Sequence, residues 1–422
     1  MTLRVLCLDI EGGFGGSSRS LYESIRHIDR TRVVPEVWCG RDGPVVPRYE
    51  SLGVPCRVIS WPRFSALPRL SRNLYALGRA KMNHIRLRPA IDDLVRIASE
   101  RFDVIHANHE SLFLILAALR QRTDLPLIMH LRTIVAPSVV ARWQARSISH
   151  SADHAVFITE NERDAWSRLG LQLPDRSVIY NIAVPPDVDI SAHPSVPDDE
   201  RFRVACISNY AWVRGIDRLV EVARLLKSRS RSDVRFVLAG DMRLRGSLPG
   251  ELGRIAARGG SLADYAAAHG VDDMFTFVGH VAEPEQVLVA CDAVARPSRE
   301  NNPWGRETIE AMAAGKPVIS TGTYDRFVED GVTGLLHAGY DPAAFAGAIT
   351  QMADDRALCA RLGAEGRRRV ETLCNGPARA EDLLGVWTMA AMHGAKFRLE
   401  REAETGNAEL PARRGNVVSA GR

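Results

Sequence analysis

Short runs of β-branched and aliphatic residues recur through the first half of the chain: RVLCLDI at 4–10, VVPEVWC at 33–39, CRVIS at 56–60, FDVIHAN at 102–108, LPLIMHL at 125–131, HAVFIT at 154–159 and SVIYN at 177–181. Amphipathic segments of helical period lie between most of them. This alternation is that of a parallel sheet covered by helices on both faces, and it predicts a Rossmann-like domain over 1–180. The pattern stops in YNIAVPPDVDISAHPSVPDDE, where Pro185, Pro186, Pro194 and Pro197 exclude regular structure and stiffen the chain, so 181–200 reads as a proline-rich linker. It then resumes with VACIS at 204–208, the helical RGIDRLVEVARLLKS at 214–228, VRFVLAG at 234–240, a helical insertion at 252–269, MFTFVGHV at 274–281, AVARPS at 293–298, a helix at 305–314 and PVIST at 317–321. A second Rossmann-like domain is therefore expected over 201–372, with helices at 373–392 crossing back to the first domain and a charge-rich, poorly ordered tail at 393–422. The fold class is α/β, and since open sheets of this type bind ligands beyond the carboxyl ends of their strands, two such domains are expected to face each other across a cleft.

Length and composition fit this division. A chain of 422 residues exceeds one ordinary core, and 45% hydrophobic with 25% charged residues is the balance of a soluble globular protein. The longest apolar run, Leu112 to Leu119, is eight residues, far short of the roughly 20 that cross a bilayer. The start, MTLRVLCLDIEGG, lacks the layout of a cleavable signal, which predicts a cytoplasmic protein. Seven cysteines without a Cys-x-x-Cys spacing argue against a disulfide framework and a zinc knuckle, and a net charge of +4 is too small to imply nucleic acid. That charge is uneven: Trp61 to Ile91 holds seven cations and no acid among Leu, Phe, Trp and Tyr. Such a stretch suits either a helix lying on anionic lipid headgroups at the inner membrane surface or a solvated basic helix.

The candidate chemistry gathers where strands end and helices begin. In SRENNPWGRETIEAMAAGKPVIS, Pro303, Trp304 and Gly305 turn the chain into a helix that stops at Gly315, and the free amides of that helix start form a ready anion site. Glu310, one turn deeper, suits two adjacent hydroxyls of a ribose, or else a surface ion pair with Arg306 at i,i+4. After the first strand, EGGFGGSSRS departs from a dinucleotide fingerprint because Ser18 takes the third glycine position; Gly15 and Gly16 either admit a diphosphate or make a tight turn. Arg214 and Gly215 are expected to open the helix after the first strand of the second domain, which would put a guanidinium at the same edge. His130 closes the strand LPLIMHL, followed by Arg132, and reads as structural or as a cleft-facing group. Asp187-Val188-Asp189 has the form of a metal-diphosphate motif but falls in the linker, as a chance match would.

Taken together, these segments resemble the retaining glycosyltransferases of family 4, which have the GT-B fold of two facing Rossmann-like domains. The resemblance is strongest over Pro297 to Leu336 and weaker at FDVIHANHE, PLIMHLRT, VIYN, ISNYAWVRGIDRL and FTFVGHV, in family order out to about Trp387. It implies that Glu310 holds the nucleotide ribose, that Gly15 and Gly16 face the diphosphate, and that His130 lies near the donor sugar. Two positions depart from the family pattern. Where the family has a glutamate touching the donor sugar this chain has Asn302, and of its two diphosphate-binding cations one is Arg214 while the other is replaced by Asn209. Asparagine can still donate to a hydroxyl or phosphate oxygen, but a neutral bond contributes roughly 0.5–1.5 kcal/mol where a charged one gives about 1.5–3.

The resemblance thus implies a transferase that moves a hexose from a nucleotide diphosphate sugar to a saccharide or lipid-linked acceptor with retention, without metal or other cofactor. The two asparagines keep open a catalytically weak or inactive nucleotide-sugar-binding protein of the same fold. An epimerase or phosphorylase on this architecture is a further alternative, the latter requiring a pyridoxal site that the sequence does not offer.

Overall fold

The computed structural model describes residues 2–10, 12–59, 89, 91–300 and 302–408, with backbone alone over 395–408. The basic stretch 61–91 thus lies outside the described residues apart from Pro89 and Ile91. Two compact units appear: Met1–Tyr180 together with the chain from Pro377, and Asn181–Gly376.

In the first unit the order is β1 (Leu3–Asp9), α1 (Gly16–His27), β2 (Val33–Cys39), α2 (Val45–Ser51), β3 (Cys56–Val58), α3 (91–101), β4 (Val104–Ala107), α4 (Phe113–Arg120), β5 (Leu127–Leu131), α5 (Val139–Ser151), β6 (His154–Phe157), α6 (Glu160–Arg168) and β7 (Asp175–Val178). The strands form one parallel sheet in the order β3-β2-β1-β4-β5-β6-β7. Strands β4, β5 and β6 are buried along their whole length, which is why they read as near-continuous apolar runs, each with one histidine, and not as alternating ones. Because β1 pairs with both β2 and β4, the winding direction reverses between β1 and β4. That reversal opens a crevice at the carboxyl ends of these two strands.

The second unit repeats the plan with β8 (Phe202–Ile207), α7 (Arg218–Ser228), β9 (Val234–Ala239), α8 (Gly250–Ala257), α9 (Leu262–Ala268), β10 (Phe275–Gly279), α10 (Glu285–Val289), β11 (Ala293–Arg296), α11 (Arg306–Ala313), β12 (Val318–Thr321), β13 (Gly334–His337), α12 (Pro342–Asp354) and α13 (Arg356–Leu373). Its parallel sheet runs β10-β9-β8-β11-β12-β13, so its reversal lies between β8 and β11. Strand β13 is not foreseen from the sequence: it is four residues long, begins with a glycine, and is buried only at that residue. The core gathers Phe202, Phe236, Leu238, Leu262, Phe275 and Phe345 between the sheet and its helices.

The proline-rich stretch 181–200 carries no helix or strand but is tied to the second unit, since Asp199 pairs with Arg235 at 2.7 Å and the His193 amide donates to the Gln286 carbonyl at 3.0 Å. Helix α14 (Gly376–Ala408) then returns to the first unit, where Leu383, Leu384, Val386 and Trp387 pack with Val5, Cys7, Leu21 and Ile25. Its backbone stays helical through Ala408, into the segment whose composition predicts a loose tail. None of the seven cysteines is in a disulfide. No helix among the described residues is long and apolar enough to cross a membrane.

Phe236 is fully buried on a central strand and stacks on Phe275 with ring centroids 5.2 Å apart. Phe236→Ala should destabilise the second unit by about 3–5 kcal/mol, read as a lowered urea midpoint for that unit.

Candidate functional site

In the second unit, the loops that follow β8 and β11 meet at the reversal point. After β8 the chain makes a single 3-10 turn, Trp212–Arg214, and then passes through Gly215 at φ +68°. A Cβ at Gly215 would lie 2.0 Å from the Pro297 carbonyl oxygen, so glycine is required both for the left-handed turn and for this approach of the β11 loop. The expectation that Arg214 and Gly215 open the helix is corrected here: α7 starts at Arg218, because the turn at Gly215 intervenes. Arg218 pins the β11 loop by donating to the Pro297 and Ser298 carbonyls at 3.0 Å each. Arg299 holds the β8 loop in turn, chelating Asp217 and lying over the Trp212 ring at 3.4 Å from its centroid.

Helix α11 starts from Gly305 with no side-chain cap. A Cβ there would come within 2.6 Å of the Glu307 carboxylate and 2.9 Å of the Arg296 guanidinium, so a capping side chain would have to displace the ion cluster formed by Glu307, Arg296 and Arg214. Glu307 accepts from Arg214 at 3.2 Å and pairs closely with Arg296. The cluster neutralises the carboxylate beside the helix start and leaves Arg214, at 40% exposure, as its accessible cation. Pro303 is fixed by the Ser320 hydroxyl, which donates to its carbonyl at 2.8 Å, and Trp304 is buried against Phe327. Trp304 Nε1 and Asn302 Oδ1 are buried without a hydrogen-bond partner among the described residues. Glu310 does form the i,i+4 pair with Arg306, at 2.8 Å, but both side chains are about nine-tenths buried, so the pair is not the surface one that spacing suggests.

Asn209, two residues past β8, accepts the Asp241 amide on Oδ1 at 2.8 Å, so its remaining polar group is the NH2 donor. It borders a cavity of about 540 Å³ beyond the ends of β8, β9 and β10, together with Asp241, Arg243, Ser261, Phe277 and His280.

The first unit has a corresponding cluster at its own reversal point. Gly15 is the residue before α1 and has no capping side chain. Gly12 and Gly43 are needed for packing, since a Cβ on either would strike the other loop's backbone at 2.3–2.5 Å, whereas a Cβ on Gly15 or Gly16 would meet nothing within 4 Å. Of the two readings of this loop, the tight turn accounts for Gly12, and the open space lies at Gly15 and Gly16. Asn108, just past β4, binds the loop by donating to Asp9 Oδ1 and to the Ser17 carbonyl, each at 3.1 Å. It is itself gripped by Arg132, whose Nε donates to the Asn108 carbonyl at 2.8 Å. Asp9 is fully buried, and burial raises its pKa against the opposing effect of hydrogen bonds from Asn108, Ser18 and the Ile10 amide. His130 lies on β5 beside this group, with its Nδ1 3.2 Å from Arg132 Nη2 and 3.3 Å from His106 Nε2.

In the second unit Arg214, Asn302, Pro303, Trp304 and Gly305 lie about the α11 start, Glu310 is one turn deeper in that helix, and Asn209 borders the separate cavity; in the first unit Gly15, Gly16 and His130 are linked through Asn108 and Arg132. The sequence reading does not single out Glu307, Arg296 and Arg299, whose cluster joins the α11 start to residues far from it in the chain. His106, Asn108 and Asp9 were hidden inside strand-like runs. Asp187 and Asp189 lie outside both clusters, on a segment where Val188 is fully exposed.

Two parallel-sheet Rossmann-like domains of this kind define the GT-B architecture. Residues 15–181 match the glycosyl transferase 4-like domain and residues 188–369 the glycosyl transferases group 1 family, so each unit carries one domain of glycosyltransferase type. It is 37% identical over 154 residues, 36% of its length, to a D-inositol 3-phosphate glycosyltransferase of Streptomyces avermitilis, spanning about a third (32%) of that relative. It is 26% identical over 341 residues to the enzyme of the same description in Kineococcus radiotolerans, a match covering 72% of the chain and 75% of the relative. Among solved structures it is similar to Anabaena HepE in complex with UDP-glucose (TM-score 0.71, 22% identity, 92% of this chain and 100% of that one). It is also similar to sucrose-phosphate synthase of Thermosynechococcus elongatus (TM-score 0.69, 20% identity, 92% and 98%).

The buried histidines have a measurable consequence. Burial, with Arg132 and His154 nearby, holds His106 down to about 3, and burial with Arg132 puts His130 well below the ordinary imidazole range. The unfolded chain takes up protons at these rings below about pH 6.5 while the folded chain does not, so stability falls as pH drops from 7 to 5.5. Hydrogen exchange of the β4 and β5 amides, corrected for intrinsic rates, should therefore speed up over that window. The slope should flatten in a His106→Gln, His130→Gln variant.

Proposed function

We propose that the chain transfers a hexose from a nucleotide diphosphate sugar to a saccharide or lipid-linked acceptor, with retention at the anomeric carbon. The single observation that carries this reading is the uncapped start of α11, set beside Arg214 and next to a carboxylate already neutralised by arginine. Backbone amides at a helix start together with a guanidinium are suited to a diphosphate, whose negative charge grows as the glycosidic bond breaks. Asn209 offers its NH2 group at the same edge, and the cavity beside it is large enough for a nucleoside. The position where the resemblance expects a carboxylate beside the donor sugar holds Asn302, so front-face departure is favoured over a covalent intermediate. In that step the C1–O bond breaks with its electron pair going to the leaving phosphate, the acceptor oxygen bonds to C1 on the same face, and the acceptor proton passes to the phosphate oxygen. Arginine and amides supply the neutralisation, so the step requires no metal. His130, with Gly15 and Gly16, would serve the sugar and diphosphate from the first unit. The relatives named as D-inositol 3-phosphate glycosyltransferases support glycosyl transfer, and the UDP-glucose complex of HepE supports a nucleotide-sugar donor. Acceptors would be taken up on the first unit, in bacterial surface polysaccharide or glycoconjugate synthesis in the cytoplasm. The basic stretch 61–91 would be the contact with an anionic inner membrane surface.

A second reading, nucleotide-sugar binding without transfer, draws on Asn302, which places a neutral amide where the resemblance expects a carboxylate. Incubation with labelled UDP- and GDP-sugars separates the two: release of free nucleotide indicates transfer or slow hydrolysis, whereas saturable binding without release indicates the binding protein. Arg214→Ala should lower turnover at least about tenfold, equivalent to about 1.4 kcal/mol, with the fold intact. Unchanged turnover would remove Arg214 from the diphosphate site.

A further inference from the structure

We propose that His130 works as a neutral donor through Nε2–H, held in that tautomer by Arg132 and by a relay from Trp387 through His106. This rests on the reading above that His130 meets the donor sugar. An indole nitrogen can only donate, and Trp387 Nε1 lies 3.0 Å from His106 Nδ1, so that nitrogen accepts and the His106 proton sits on Nε2. His106 Nε2 then faces His130 Nδ1 at 3.3 Å as a donor. Arg132 Nη2, which also can only donate, approaches the same Nδ1 at 3.2 Å. Two donors on one lone pair leave Nδ1 as acceptor and place the His130 proton on Nε2.

The rings are also fixed in direction. Trp387 meets His106 edge-to-face at 5.7 Å between centroids, and His106 meets His130 likewise at 5.4 Å. His130 is 3% exposed, and its Nε2 has no hydrogen-bond partner among the described residues. A buried donor without an acceptor is unfavourable in the resting protein, so the arrangement is understandable if a ligand atom completes it. That atom has to be an acceptor, such as a hydroxyl or phosphate oxygen. His130 is then unable to receive the acceptor's proton, and the base must be found elsewhere, on the leaving phosphate. The charged and titratable groups around it are Arg132 on the same strand end, His106 on β4 with His154 behind it on β6, and His109 and Glu110 in the turn after β4. The cation and the neighbouring rings all oppose a positive charge on His130. Trp387 and His106 are positioning residues, acting through His130 and touching no substrate.

Long-range proton–nitrogen NMR of the uniformly labelled full-length protein reads the tautomer without any substrate. The expected result is a His130 ring protonated at Nε2 and bare at Nδ1, unchanged from pH 8 to 5.5. A ring protonated at Nδ1, or an imidazolium in that window, overturns the proposal whatever the protein's substrate. With a nucleotide sugar that turns over, Trp387→Phe should reduce kcat about threefold to tenfold with little change in donor KM, as expected for one neutral hydrogen bond acting at a distance. It should cost nothing further in a His130→Ala background, and His130→Gln, which keeps an NH donor, should retain more activity than His130→Ala. Equal losses from Trp387→Phe with and without His130 would show a packing role only and overturn the relay. If no nucleotide sugar turns over, the proposed function fails, while the NMR result still decides the tautomer.

Discussion

Helix starts have backbone N–H groups with no partner inside the helix, and at α11 no side chain caps them. A side chain at Gly305 would press on the Glu307 carboxylate and the Arg296 guanidinium, so the ion cluster and the uncapped helix start go together. The surrounding structure fits this constraint. Gly215 lets the β8 loop reach Pro297, Arg218 and Arg299 tie the two loops together, and Ser320 fixes the carbonyl of Pro303. The result is a tied loop pair that presents uncapped helix amides beside the Arg214 guanidinium. This is the physical basis for placing a diphosphate there.

The first unit shows the same logic with different residues. The carboxyl ends of β1 and β4 are bound to the Gly15 loop by Asn108, and Asn108 is bound by Arg132, so a chain of hydrogen bonds carries position from the sheet to the loop and to His130. The return of α14 adds Trp387 to the same chain. A helix that follows far later in the sequence, at Gly376–Ala408, thereby shares in the orientation of a group on β5, through contacts within a single unit.

Much of the fold was legible because both sheets are parallel and covered on both faces, which writes each central strand as a compact apolar run; β4, β5 and β6 are of this kind. Strand β13 escaped because an edge strand of four residues, partly exposed, carries little pattern. The turns that carry the candidates were legible where the signal is local, as at Pro303–Gly305 and Gly15–Gly16, since turn and helix-start residues lie in neighbouring positions. They were illegible where chemistry is non-local. Nothing in the spacing of Arg296, Arg214 and Glu307 announces that they form one cluster, and nothing in the sequence joins Trp387 to His106. Helix α7 was begun four residues too early because the steric demand on Gly215 comes from Pro297, on a distant strand end.

The most direct test of the central claim is a crystal structure of the protein soaked with a nucleoside diphosphate or its sugar ester. The account predicts phosphate oxygens against the first amides of α11 and within hydrogen-bond reach of the Arg214 guanidinium. A nucleotide bound with its phosphates away from that helix start, or an α11 start left empty beside a nucleotide held elsewhere, would contradict it.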